Sequence, residues 1–170
     1  ARAIYEEVLR LDPFHPGALY NLALLSEPEQ ALTLASRLLA VERRVPRGHL
    51  LRAKLWSDPA RPDEMRLDAA LAEVRLAREL NREETGSVIL EGRILLLMGK
   101  TEEAAERFEK VRQNPRAAAL GALACFRAGQ PERALKLLEQ RATVAPTGVT
   151  EEGDTGKRRM GEQDVLARLL

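Results

Sequence analysis

Apolar residues over the first 140 or so positions recur at steps of three and four, not two, so the chain reads as a series of helices. Ile4, Val8 and Leu11, with Tyr5 and Leu9 alongside, form a stripe that stops at Asp12-Pro13. Pro16 opens the next helix at its first turn, where a missing N–H costs nothing, and Leu19, Leu22, Ala23 and Leu25 form its inward face. Ser26 and Glu29 have the spacing of a capping box, which predicts a helix from Glu27 to roughly Arg44. A helix over about Gly48 to Trp56 follows, in which His49, Leu50 and Leu51 compete for the inward slot. Ser57 to Asp63 reads as a loop stiffened by two prolines, either a tolerated surface insertion or a binding edge. Its partner helix continues to about Asn81 with Leu67, Leu71, Val74 and Leu80 on one stripe.

One short segment recurs. Gly99-Lys-Thr-Glu-Glu-Ala-Ala, Ser26-Glu-Pro-Glu-Gln-Ala-Leu and Gly129-Gln-Pro-Glu-Arg-Ala-Leu each carry a small breaker, a Glu three residues on and an Ala two after that. Recurrence of this kind signals stacked helical hairpins. Val88-x₂-Glu91-Gly92-x₂-Leu95 followed by Ala104-x₃-Phe108 is the fullest copy. Leu19-x₂-Leu22-Ala23-x₂-Ser26, Ala118-x₂-Gly121-Ala122-x₂-Cys125 with Ala134-x₃-Leu138, and Ala1-x₃-Tyr5 with Asp12-Pro13 are partial ones. Together they resemble the tetratricopeptide repeat (TPR) over roughly residues 1–141. The spacing departs from that family's 34 residues: Ala1, Ala31, Ala70, Ala104 and Ala134 are separated by 30, 39, 34 and 30. Losing four residues is close to one helical turn, so the same face stays inward and the curvature becomes irregular. The resemblance implies an all-α fold, a right-handed superhelical array of antiparallel helix pairs (a TPR-like α-solenoid).

After Arg141 the period stops. Residues 142–158 read as a flexible linker, and 159–170 as an amphipathic helix through Met160, Val165, Leu166, Leu169 and Leu170, too short to stand alone in water. The chain opens on Ala, in what reads as the middle of a repeat, so a trimmed fragment is expected.

Composition narrows the function. A net charge of +1 gives no global field toward nucleic acid or membrane, and no apolar run reaches the ~20 residues that span a bilayer. Cys125 is alone, which excludes an intramolecular disulfide or thiolate metal site and fits a soluble protein of a reducing compartment, a periplasm remaining open. Gly99-Lys100-Thr101 lacks the Gly that a phosphate loop needs five residues earlier, where Ile94 stands. His15 and His49 have no i,i+4 ligand partner, so neither metal nor haem is expected, and no cofactor is. Cys125 falls on an inward position as a small hydrophobe. The acids read as solvated faces, with Glu103–Arg107 and Glu106–Lys110 as i,i+4 pairs. Arg43, Arg44, Arg47, Arg52 and Lys54 form a basic group, but Trp56 is the one aromatic near it, a poor platform for single-stranded nucleic acid.

A non-catalytic scaffold or adaptor is therefore expected. In TPR proteins ligands usually lie in the concave groove lined by the first helix of each hairpin. On this sequence that frame selects Tyr20, Asn21 and Leu24, then Ile89, Leu90, Arg93, Leu96 and Leu97, then Ala119, Leu120, Leu123, Phe126 and Arg127. The family's clamp for chaperone-tail carboxylates is matched by Asn21 alone. The groove of the later hairpins is apolar instead, as interfaces commonly are, and its occupant is a partner helix, another protomer or the chain's own 159–170 segment. Two alternatives stay open: a structural subunit self-associating through the C-terminal helix, and an accessory repeat domain of a longer protein.

Overall fold

The computed structural model describes residues 1–81 and 85–144, with the side chains of the last helix described through Glu139. The linker and terminal helix expected over 142–170 therefore lie almost wholly outside the described residues. Within them are nine α-helices and no strand: α1 (Arg2–Leu11), α2 (Pro16–Leu24), α3 (Pro28–Val41), α4 (Pro46–Trp56), α5 (Leu67–Leu80), α6 (Thr85–Leu97), α7 (Thr101–Glu109), α8 (Pro115–Arg127) and α9 (Pro131–Val144). A single 3₁₀ turn over Pro62–Glu64 sits in the proline-stiffened loop.

The helix ends follow from local chemistry. Pro begins α2, α3, α4, α8 and α9, its fixed φ suiting a first helical position. Asn114 caps α8, its side chain accepting from the amides of Arg116 at 3.0 Å and Ala117 at 3.2 Å. His15 does the same for α2, Nδ1 accepting from the Ala18 amide at 3.1 Å. At the elbows after α6 and α8, Gly99 and Gly129 adopt φ of 75° and 73°. There Lys100 N–H reaches the Leu95 carbonyl at 2.9 Å and Gln130 N–H the Cys125 carbonyl at 2.9 Å, closing the last turns by the glycine-terminated motif. The expected capping box does not form. Ser26 instead donates to the Leu22 carbonyl at 2.8 Å, and Glu27 precedes α3 with no side-chain cap, because Pro28 already starts the helix.

Each helix packs on its sequence neighbours, and α4 also touches α6, as α6 does α8. The helices thus form two rows: α2, α4, α6 and α8 side by side, and α1, α3, α5, α7 and α9 behind them. The hydrophobic interior divides at α4. Leu51 joins Leu19, Leu22, Leu34 and Leu38 in an N-terminal cluster, whereas Leu50 and Ala53 join Val74, Ile94, Leu95, Phe108 and Leu137 in a C-terminal one. This division answers the ambiguity of the α4 stripe. His49, Leu50 and Leu51 are all buried, because that helix is covered from both sides. Leu25 departs from its expected inward place: it lies just past α2 and is 48% exposed. In α1, Tyr5 and Leu9 pack on the N-terminal cluster while Ile4 and Leu11 face solvent.

Candidate partner groove

The row of α2, α4, α6 and α8 carries the residues expected to line a groove, and their burial differs along it. On α2, Tyr20 and Asn21 are half-buried and Leu24 is exposed. Tyr20 does not stand free: the Arg47 guanidinium of α4 lies 4.9 Å from its ring centroid, a cation–π contact that bridges the two helices. On α6, Arg93 is half-buried, Leu97 is 38% exposed, and Ile89 and Leu96 are half-buried against the C-terminal cluster. Leu90, expected in the groove, does not line it. It is a buried member of that cluster, since α6 is flanked by α5, α7, α4 and α8 and its apolar stripe wraps round most of the helix. On α8, Ala119, Leu120 and Leu123 are half-buried, whereas Phe126 and Arg127 are exposed. Beyond the C-terminal ends of α6 and α8 lies a hollow of about 440 Å³ lined by Gly99 to Glu103 with Arg127 and Ala128.

Two buried polar clusters behind this face escaped the sequence reading. Glu91 on α6 is 2% exposed and bonds Arg78 of α5 and Arg107 of α7, the latter at 3.1 Å. Arg107 is thus drawn to Glu91 instead of the expected helical partner Glu103, because a desolvated carboxylate holds a cation more strongly than a solvated one does. His49 on α4 is likewise buried. Its Nδ1 lies 2.6 Å from Glu73 Oε2 on α5 and its Nε2 lies 2.9 Å from the Arg43 carbonyl. Glu73 also binds Arg52, whose guanidinium rests 5.0 Å from the Trp56 ring centroid. The signal in both cases was an ionisable residue on an inward stripe, which requires partners from neighbouring helices.

Cys125 takes its inward place, and burial raises its thiol pKa above the ordinary value. A second link between rear helices is bidentate: Arg133 of α9 grips Glu109 of α7 at 2.8 and 2.7 Å. None of these clusters opens to the groove with a nucleophile and base in reach of one another.

Solved structures share this arrangement. Two crystal structures of MamA superpose with TM-scores of 0.70 and 0.69, at 19% and 21% sequence identity, covering 84% and 88% of this chain and 85% and 87% of theirs. A thermophilic TPR protein of Thermus thermophilus superposes with a TM-score of 0.69 at 20% identity, covering 99% of this chain and 86% of its own. The chain is a TPR-like α-solenoid. At these identities the likeness is one of fold. No protein-family model matches the sequence, and no curated protein does. The uneven repeat lengths accord with that: the TPR-like solenoid keeps the Gly92–Phe108 packing of its fullest repeat but shortens α7 to nine residues beside fourteen in α3 and α5. Among the described residues, no helix of the solenoid is long and apolar enough to cross a membrane.

Proposed function

We propose that this solenoid is a non-catalytic scaffold that binds protein partners along the face of α2, α4, α6 and α8. The observation that carries the reading is the pair Leu97 and Phe126, large apolar side chains 38% and 45% exposed on neighbouring helices of that row. Helices of a repeat array bury their apolar sides only against neighbours, which leaves one long face available to a ligand. A partner helix would set apolar anchors on Leu97, Phe126, Leu123 and Leu96, with Leu24, Asn21 and Tyr20 extending the surface on α2. The test is capture of partners by the wild type against Leu97→Asp, with circular dichroism on both. Binding lost with helicity retained supports the face; lost helicity would make Leu97 a core residue and remove it.

A second reading rests on the other end of the array. Ile4, Leu11 and Phe14 are 66%, 72% and 65% exposed, and α1 buries no residue fully. Such a surface suits a structural subunit whose α1 is covered in an assembly. Sedimentation over a range of concentrations distinguishes the two: mass that rises with concentration and falls back in Ile4→Glu supports the subunit, and a constant monomer opposes it.

A further inference from the structure

The charges of this protein are sorted between the two rows, although its net charge is only +1. Helices α2, α4, α6 and α8 carry six cations (Arg47, Arg52, Lys54, Arg93, Arg116 and Arg127) and a single acid, Glu91. The five helices behind them carry twelve acids and nine cations. The sorting is sharper in the pairing than in the numbers. Glu91 is buried and covered by two guanidiniums from the rear row, so the one acid of the front row presents no negative charge outward. In the rear row Arg2, Arg10 and Arg133 are held by Glu6, Glu7 and Glu109, and Arg78 and Arg107 by Glu91, while Arg37, Arg75 and Lys136 form no ion pair among the described residues. In the front row Lys54, Arg93, Arg116 and Arg127 form no ion pair among the described residues, while Arg52 is neutralised by Glu73.

Position makes these cations a surface. Counted from the first residue of each helix, Leu24, Lys54, Arg93 and Leu123 occupy one equivalent step of α2, α4, α6 and α8, and Arg47 and Arg116 another. Lys54 and Arg93 are therefore neighbours in the middle of the row, with Leu24 and Leu123 on either side. Arg116, Leu120, Leu123 and Arg127 fall on one stripe of α8, at helical spacing. The row is also the inner side of the stack, because α4, α6 and α8 approach one another directly and the helices behind meet chiefly their sequence neighbours. Glu102 and Glu103 stand with Arg127 at the hollow beyond α6 and α8. Along α4 and α6, however, the wall carries one sign of charge, and a recessed wall of that kind concentrates its field more than the same charges spread over a convex surface.

We infer that the occupant of this face is an acidic amphipathic helix of a partner protein, with apolar side chains on Leu97, Leu123 and Phe126 and flanking carboxylates toward Lys54, Arg93 and Arg127. The inference deepens the scaffold reading and rests on it. Apolar surface supplies most of such an affinity, while charge selects the partner and raises the rate of encounter. A neutral or basic helix of the same apolar pattern would leave these guanidiniums facing like charge or desolvated without a carboxylate, which is how an interface rejects wrong partners.

Three synthetic helical peptides test it, sharing one leucine stripe and differing only in flanking residues: Glu, Gln or Lys. Binding is read by fluorescence anisotropy on the full chain at low and at moderate salt. The expected result is that the Glu peptide binds about tenfold more tightly than the Gln peptide and about a hundredfold more tightly than the Lys peptide, the preference shrinking as salt is raised. The double variant Arg93→Glu/Arg127→Glu should invert the order with circular dichroism unchanged. Should that variant unfold, Lys54→Glu alone should reduce the preference severalfold. Equal binding of all three peptides, abolished by Leu97→Asp, overturns the acidic partner and leaves the apolar face standing. Binding indifferent to Leu97→Asp overturns the face itself, as does absence of binding by every peptide. Self-association that salt dissolves and the Glu peptide does not compete for overturns the partner in favour of a second copy.

Discussion

A β-carbon placed on Gly92 would lie 2.7 Å from Cε1 of Phe108. The ring thus occupies the space an ordinary residue would fill, and it lies against Gly121 as well, where a β-carbon would come within 3.0 Å of Phe108 Cβ. Two glycines of successive front-row helices receive one aromatic from α7, and this contact fixes the distance between the third and fourth hairpins. In an unconstrained helix interior, Gly→Ala gains about 1 kcal/mol. Gly92→Ala should instead destabilise by about 1–3 kcal/mol through overpacking, and Phe108→Ala by about 3–5 kcal/mol. In urea unfolding the Gly92→Ala penalty should shrink once Phe108 is Leu, since the smaller side chain vacates the space. A stabilising Gly92→Ala would refute the contact.

Glu91 offers a second test, because its carboxylate is buried and its two guanidinium partners are only partly so. Glu91→Gln keeps the shape and removes the charge that both Arg78 and Arg107 face. The expected cost is about 2–4 kcal/mol, toward the lower end for a buried pair, as each guanidinium retains some access to water. Arg78→Ala or Arg107→Ala alone should cost less, since Glu91 keeps one partner. Equal stability of Glu91→Gln and wild type in denaturant titration would show that the pairs contribute nothing net.

The helical hairpins, the elbows and the Gly92–Phe108 pattern were legible because each depends on neighbours within one repeat. A glycine followed by an acid-rich first turn and an Ala-x₃-Phe is a local signal, and Gly99 and Gly129 adopt the positive φ it implies. What was not legible depends on rotation about a helix covered on two sides. Leu90 and Leu97 are both leucines on α6, and only packing against α5, α7 and α8 buries the one and exposes the other. The ion pairs were misread for a related reason. Arg107 has Glu103 one turn away on its own helix, yet it binds Glu91, sixteen residues back, because the buried acid needs it more. The sorting of charge between rows emerges only once the hairpin boundaries tell which helix stands in front.

His49 joins three elements at the place where the two hydrophobic clusters meet: α4, Glu73 of α5, and the Arg43 carbonyl after α3. His49→Phe keeps bulk while removing both ring nitrogens that meet the Glu73 carboxylate and the Arg43 carbonyl, at an expected cost of about 1–3 kcal/mol. The loss should be local before it is global. Native-state hydrogen exchange should show amides of α1 to α3 opening at lower free energy in the variant, with those of α6 to α8 little changed. Uniform loss of protection along the chain would mean that the clusters unfold as one unit and that α4 is no seam.

Cys125 supplies a chemical clock for the C-terminal half. Its side chain is fully enclosed among α7, α8 and α9, and burial pushes its thiol up, with Glu109 adding to the rise and Arg133 opposing it. The thiolate is the reactive form, so a raised pKa and enclosure both slow alkylation. A group whose folded value lies above its unfolded one contributes stability below the unfolded value, and loses it as pH climbs through the folded value. Stability should therefore decline on the alkaline side of the ordinary thiol range, and the decline should be smaller in Cys125→Ala. Iodoacetamide at mildly alkaline pH should modify the native protein far more slowly than the urea-unfolded chain, with a rate that rises with added denaturant as opening becomes more frequent. Labelling of the native protein at the unfolded rate would place Cys125 at the surface and break the enclosed packing of α7, α8 and α9.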